Sequence, residues 1–123
     1  YIKEFHGFVS YKDYSAKLAS LDLDIAIAPL ENNLFNACKS NLRLLEYGAM
    51  GWPVVCSDVY PYQTMVPPVL RVPDDEGAWL AALRHLIKDP GFRRAQGQAL
   101  HDWQQQHYLL GNHVDAWFHA IFE

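Results

Sequence analysis

Two short apolar runs, separated by a loop and a helix-length segment, constrain this chain more than any other feature. Leu23–Ala28 (LDIAIA) is stopped by Pro29, and Pro53–Ser57 (PVVCS) follows after the intervening stretch. Short apolar runs of this kind suit strands buried on both faces, as in a parallel sheet. Between them, Ser40 has the chemistry of a helix N-cap, and Leu42, Leu45, Tyr47 and Ala49 supply apolar and small residues to the helix that follows. Gly51 ends that helix and Pro53 prevents it from resuming. Parallel strands need such a helical crossover, so the pattern predicts an α/β fold.

The flanking segments extend this reading. Lys3–Phe5 is a short strand candidate ending at His6-Gly7, and Ser10 to Ser20 is predicted to be a helix with Tyr11, Tyr14 and Leu18 on one face. Glu31–Lys39 reads as a polar, Asn-rich loop. Asp58–Pro68, with three prolines and two tyrosines, reads as another loop, and Val69–Val72 as an edge strand. From Asp75 the pattern turns helical. Trp79, Leu80, Leu83, Leu86 and Ile87 form a stripe that Asp89-Pro90-Gly91 breaks. Phe92 to about Tyr108 follows, with Leu100, Trp103 and Tyr108 as the buried side; after Gly111-Asn112, Val114, Trp117, Phe118 and Ile121 make a last amphipathic helix. The expected architecture is a doubly wound parallel sheet with a helical C-terminal cap.

With 123 residues, half of them apolar, the chain can build one domain around one core. A net charge of −4 argues against a nucleic-acid partner held through its phosphates. No apolar stretch approaches the ~20 residues that span a bilayer, and no signal-peptide pattern opens the chain. Cys38 and Cys56 have no CxxC spacing and make neither a disulfide framework nor a zinc site, so a reducing, cytoplasmic compartment is the expectation. The first residue, Tyr1, in place of a methionine, leads to the expectation of a fragment.

Ligands of open parallel sheets sit outside the carboxyl ends of the strands. The loop after Leu23–Ala28 leads into Lys39-Ser40-Asn41 at a helix start, where unpaired backbone N–H groups and the helix dipole favour phosphate. Lys39 adds a full charge at that point. Glu46, almost two turns further on, is a carboxylate able to accept from two adjacent ribose hydroxyls. Phosphate at the tip and a diol on the flank describe a nucleotide diphosphate site.

The stretch Leu30–Asp58 (LENNLFNACKSNLRLLEYGAMGWPVVCSD) resembles the signature region of GT-B glycosyltransferases of the group 1 kind, whose pattern is a Glu-Gly-Phe-Gly-type loop, a helix with Glu-Ala-Met-Ala, then Gly-x-Pro-Val-Val. Leu45–Val55 matches the second half of that pattern, Leu21–Pro29 is similar to the strand leading into the diphosphate loop, and the helices Ala78–Lys88 and Phe92–Tyr108 are similar to the family's tail. The resemblance implies a partial Rossmann-like C-terminal, donor-binding domain over residues 1–123. In it Lys39, Ser40, Asn41 and Leu42 cradle the donor diphosphate, Glu46 holds the ribose, and Gly7, Phe8 and Val9 grip the base. It implies transfer of a sugar from a nucleotide-sugar to a glycan or lipid-linked acceptor, with retention, no required metal and no cofactor. Helix dipole and basic side chains would then take the charge-stabilising role. The Lys39-Ser40 variant is similar to a subset that acts in surface-polysaccharide assembly. Peripheral membrane association of the full-length protein is part of that expectation.

The chain departs from the family pattern at Cys38, where the family's first Glu would fall, and at Lys39-Ser40-Asn41, where Gly-Phe-Gly would follow. The family's N-terminal acceptor domain and first two strand–helix units are not in these residues, so the chain alone is expected not to catalyse transfer, and its catalytic residues stay unassigned. The competing reading is a non-catalytic, glycosyltransferase-like binding or scaffold module of a larger protein; a third is a flavodoxin-like or receiver-like module, whose acidic cluster or flavin loop His6-Gly7-Phe8 does not supply. Asp22-x-Asp24 mimics a metal motif but precedes its strand, at the wrong end of the sheet. His101, His107, His113 and His119 recur every six residues, a step that turns a helix by ~600° and sends successive rings to different faces. Cys38 is expected to be buried and inert, and Trp79, Trp103 and Trp117 to pack. Tyr60-Pro61-Tyr62 is open to either ligand contact or loop packing.

Overall fold

A computed structural model describes residues 4–122. The two apolar runs become neighbouring parallel strands, β1 (Ala26–Ala28) and β2 (Val54–Ser57), in register Ala26 with Val54 and Ala28 with Cys56. A third strand, β3 (Leu70–Val72), pairs parallel with the other side of β2, giving a three-stranded sheet in the order β1-β2-β3. Val54, Val55 and Cys56 are all buried because β2 is central and covered on both faces. Side chains alternate across a strand. Val54 and Cys56 therefore join a core with Leu44, Leu100 and Trp103, while Val55 faces Val72 and Leu86 on the opposite side. The fold is mixed α/β, with helices on both faces of a small parallel sheet.

On the first face lie α1 (Tyr11–Ala19), α3 (Leu42–Ala49) and α6 (Pro90–Tyr108); on the second lies α5 (Glu76–Lys88). Glycines set how closely α3 and α6 approach. A Cβ on Gly48 would press on Leu100 and Gln104, and a Cβ on Gly97 would collide with the Gly51 carbonyl oxygen. Gly51 itself terminates α3 with φ +71°, the left-handed conformation that a C-terminal glycine supplies without steric cost. At the other corner, Asp75 caps α5 through the Ala78 N–H (2.7 Å), and Asp89 caps α6 through the Phe92 N–H (2.8 Å). Pro90 fits the first turn of α6, so that helix begins two residues earlier than the predicted Phe92.

Several expectations are corrected. Of the strand candidate Lys3–Phe5, Lys3 lies outside the described residues, and Glu4 and Phe5 are not in a strand. The run Leu23–Ala28 is paired only from Ala26; Asp22 turns the chain with φ 45° just before it. Both supposed loops contain one-turn helices: α2 (Leu34–Ala37), capped by the Asn33 side chain on the Asn36 N–H, and α4 (Tyr60–Gln63), with Pro61 in its first turn. The N-cap of α3 is Asn41 in place of Ser40. Tyr11 is exposed, and so is Trp117, on the last helix α7 (Val114–Phe122) beyond a 3-10 turn (Leu110–His113). Among the described residues, no helix is long and apolar enough to cross a membrane.

Candidate functional site

At the carboxyl end of β1, where a parallel sheet places its ligands, a cleft of about 680 Å³ opens between Ile27–Leu30 and the amino-terminal half of α3. Lys39 and Ser40 line its mouth, followed along α3 by Leu42, Arg43, Glu46 and Tyr47. Tyr62, carried in by α4, closes another side. Residues one helical turn apart share a face, which is why positions 42–43 and 46–47 of α3 converge, with Lys39 and Ser40 just ahead of the helix.

The structure brings Lys39, Ser40, Leu42 and Glu46 into one cleft. Asn41 is different: its side chain is buried and turned away, with Nδ2 donating to the Tyr108 hydroxyl at 2.8 Å, so it ties the start of α3 to α6. The Leu42 N–H points to the Ser40 hydroxyl at 3.4 Å, a long contact that leaves this donor weakly engaged. Gly7, Phe8 and Val9 are not among the lining residues; Phe8 is fully exposed and Gly7 has no neighbouring atoms where a Cβ would stand.

Charge in the cleft is arranged in sequence along the helix. Lys39 Nζ rests 5.0 Å from the centre of the Phe35 ring. Arg43 Nη1 donates to Glu46 Oε2 and to the Tyr14 hydroxyl, both at 3.2 Å. The Glu46 side chain is 20% exposed and that of Arg43 50%. Burial works against the Arg43 charge, yet the surrounding Tyr47, Glu46 and Tyr14 outweigh it and hold the guanidinium above its ordinary value. Burial pushes the Tyr47 and Tyr62 phenols up. Both are neutral at ordinary pH, able to donate or accept in the cleft.

Arg43, which lines the cleft, and Tyr14, which bonds to it, are missing from the sequence-predicted site. The Arg43–Glu46 spacing of three was a readable signal for a pair on one helix face. For Tyr62 the sequence leaves ligand contact and loop packing equally open, because its place depends on the single turn of α4. Cys38, where the related pattern has a carboxylate, is exposed at the end of α2 and outside the cleft lining. The buried cysteine is Cys56. Glu31 is engaged with Asn33 Nδ2 at 3.1 Å and lines an adjoining depression with Ser57, Asp74 and Trp79. Asp24 pairs with Arg93 (3.5 Å) at the start of α6, a structural use of the Asp22-x-Asp24 motif. Among the described residues no cluster of three or more His, Cys, Asp or Glu side chains is placed to hold a metal ion.

Comparison with protein families, with curated proteins and with solved structures returns no match for this chain.

Proposed function

We propose that this chain is the donor-binding part of a GT-B-type glycosyltransferase of the group 1 kind, with the cleft on α3 as the site of the nucleotide-sugar diphosphate and ribose. The observation that carries the reading is the ordered set Lys39, Ser40, Arg43 and Glu46 lining one cleft at the carboxyl end of a parallel strand. Cations and the weakly engaged Leu42 N–H stand at the helix start, and a carboxylate stands about one turn further along. A nucleoside diphosphate needs that order, because its phosphates and its ribose diol are covalently adjacent. The sequence pattern across Leu30–Asp58 supports the same assignment, and three successive parallel strands with helices on both faces are what a portion of a Rossmann-like domain would present.

On this reading the chain's part in the chemistry is electrostatic. As the bond from the sugar's anomeric carbon to the diphosphate oxygen breaks, the leaving diphosphate gains negative charge. Lys39, Arg43 and the amino terminus of α3 are the groups assigned to stabilise it. The acceptor and the groups that position it come from a further domain, the expected product being a surface glycan made on the cytoplasmic side.

Titration calorimetry with UDP, GDP, ADP and dTDP tests the reading. At least one is expected to bind, Glu46→Ala to abolish measurable binding, and Lys39→Ala to weaken it about three- to tenfold, with affinity falling as salt rises. Absence of binding by all four overturns the donor-site assignment and favours a scaffold module.

A further inference from the structure

Arg43 and Glu46, both lining the cleft, are bonded to each other, and this pairing competes with the work assigned to Glu46. A carboxylate that accepts from both hydroxyls of a ribose diol uses both of its oxygens, and Glu46 Oε2 already accepts from Arg43 at 3.2 Å. Glu46 is four-fifths covered while Arg43 is half exposed, so Arg43 has solvent-filled space to move into and Glu46 does not. Arg43 is also bonded to the Tyr14 hydroxyl at 3.2 Å, with its guanidinium 5.9 Å from the centre of the Tyr47 ring. These contacts hold the guanidinium at the wall of the cleft.

We propose that Arg43 is a positioning residue that masks Glu46 in the empty site and moves to the donor phosphates when they bind, which frees Glu46 for the ribose. The inference rests on the nucleotide-sugar reading given above. A partly exposed ion pair three residues apart on a helix is a weak interaction. A guanidinium facing a diphosphate makes paired, charge-assisted hydrogen bonds to a doubly charged acceptor, a stronger arrangement. The exchange therefore runs toward phosphate. Glu46, left without its cation, is then compensated by two ribose hydroxyls instead of standing buried and unpaired. The phosphate half of the ligand thus unmasks the ribose half, and the coupling is reciprocal as any linkage must be.

Three probes separate this from a structural ion pair: the nucleoside diphosphate that binds best, its free nucleoside, and inorganic pyrophosphate, each titrated against wild type, Arg43→Gln, Arg43→Lys and Glu46→Gln with circular dichroism as a check on folding. Arg43→Gln is expected to weaken the diphosphate about tenfold or more while leaving the nucleoside unchanged or bound more tightly. Glu46→Gln is expected to tighten pyrophosphate about two- to tenfold, because Arg43 is released. Arg43→Lys should recover only part of the diphosphate affinity, lacking the planar fork. Equal weakening of nucleoside and diphosphate in Arg43→Gln, or pyrophosphate binding unmoved or weakened by Glu46→Gln, overturns the proposal while leaving the donor site standing. Wild-type protein that binds neither nucleoside diphosphates nor pyrophosphate removes both together.

Discussion

Gly97 sits under the Gly51 carbonyl and against Pro53 Cδ, with no room for even a methyl group. Because the obstacle is backbone, no side chain can swing aside to relieve it. Gly97→Ala is expected to cost about 2–3 kcal/mol or more, read as a lowered midpoint in urea denaturation. Gly51→Ala meets no atoms but must hold φ +71°, and about 1–2 kcal/mol is expected. The two glycines look alike in the sequence; only Gly51 was legible there, because a helix C-terminus before Pro53 calls for it. Gly97 depends on a crossing between helices far apart in the chain, and its neighbours Gln96 and Gln98 give no hint of a contact. A third residue, Cys56, carries a pH signature. Burial, partly offset by Arg71, pushes its thiol from an ordinary value of 9.0 up to about 12. Between those values the unfolded state has lost its proton and the folded state keeps it. Stability is therefore complete below the lower value and falls as pH rises, by about 1.4 kcal/mol per unit from this group. Denaturation midpoints measured from pH 8 to 11 should fall, and Cys56→Ala should flatten part of the decline, half-buried Tyr47 and buried Tyr62 adding to it in the same direction. At pH 8 a thiol-reactive disulfide should label exposed Cys38 rapidly and Cys56 only on unfolding.

Long elements were read well and one-turn elements were not. The helices α5 and α6 announce themselves by apolar periodicity with Asp75 and Asp89 before them, and β1 and β2 by short apolar runs. A four-residue helix has no period to detect. What holds α2 is local and tertiary at once: the Asn33 cap, and Asn36 buried with its Nδ2 donating to the Glu31 carbonyl at 2.8 Å. The segment after α4 is held from outside as well. Met65 and Val66 both adopt positive φ, 59° and 47°, an unfavourable conformation for side chains of this size. Trp103 Nε1 donates to the Met65 carbonyl at 3.1 Å, and the Tyr108 hydroxyl reaches Met65 Sδ while accepting from Asn41. Through these contacts α6 fixes both the turn that follows Tyr62 and the residue that opens α3, the two ends of the cleft. Trp103→Phe removes the N–H and the five-membered ring of a buried side chain, so about 2–4 kcal/mol of destabilisation is expected. A comparable loss should follow for Asn41→Ala, with nucleotide affinity reduced in both variants although neither side chain lines the cleft. Thermal melts together with the nucleoside diphosphate titration check this pair; unchanged affinity in both would show that α3 keeps its position without α6.

At the scale of the whole molecule, stability and apolar exposure are unevenly spread. The core lies between the sheet, α3, α5 and α6, whereas α7 packs against the 3-10 turn and buries none of its residues. Trp117 is 59% exposed, and Phe118, Ile121 and Phe122 are exposed with it. Their spacing reads in the sequence as an amphipathic helix. The helix is present, but periodicity cannot say whether its apolar face meets the rest of the chain. The 3-10 turn before it is better anchored, through Asn112 Nδ2 on the Gln105 carbonyl (3.0 Å) and His113 Nε2 against the His107 carbonyl (2.8 Å). Cutting after His113 should therefore leave the fold almost untouched. A chain lacking residues 114–123 is expected to melt within about 3 °C of the intact one, since little burial is lost. The same truncation should lower the fluorescence of a dye that binds exposed apolar surface, because most of a contiguous apolar patch is removed. A fall in the melting midpoint of more than about 6 °C, corresponding to roughly 1 kcal/mol or more, would mean that α7 stabilises the core through contacts its exposure does not suggest. An unchanged dye signal would place the accessible apolar surface elsewhere, with Ile27 on the outer edge of β1, 51% exposed beside the cleft, as the next position to substitute.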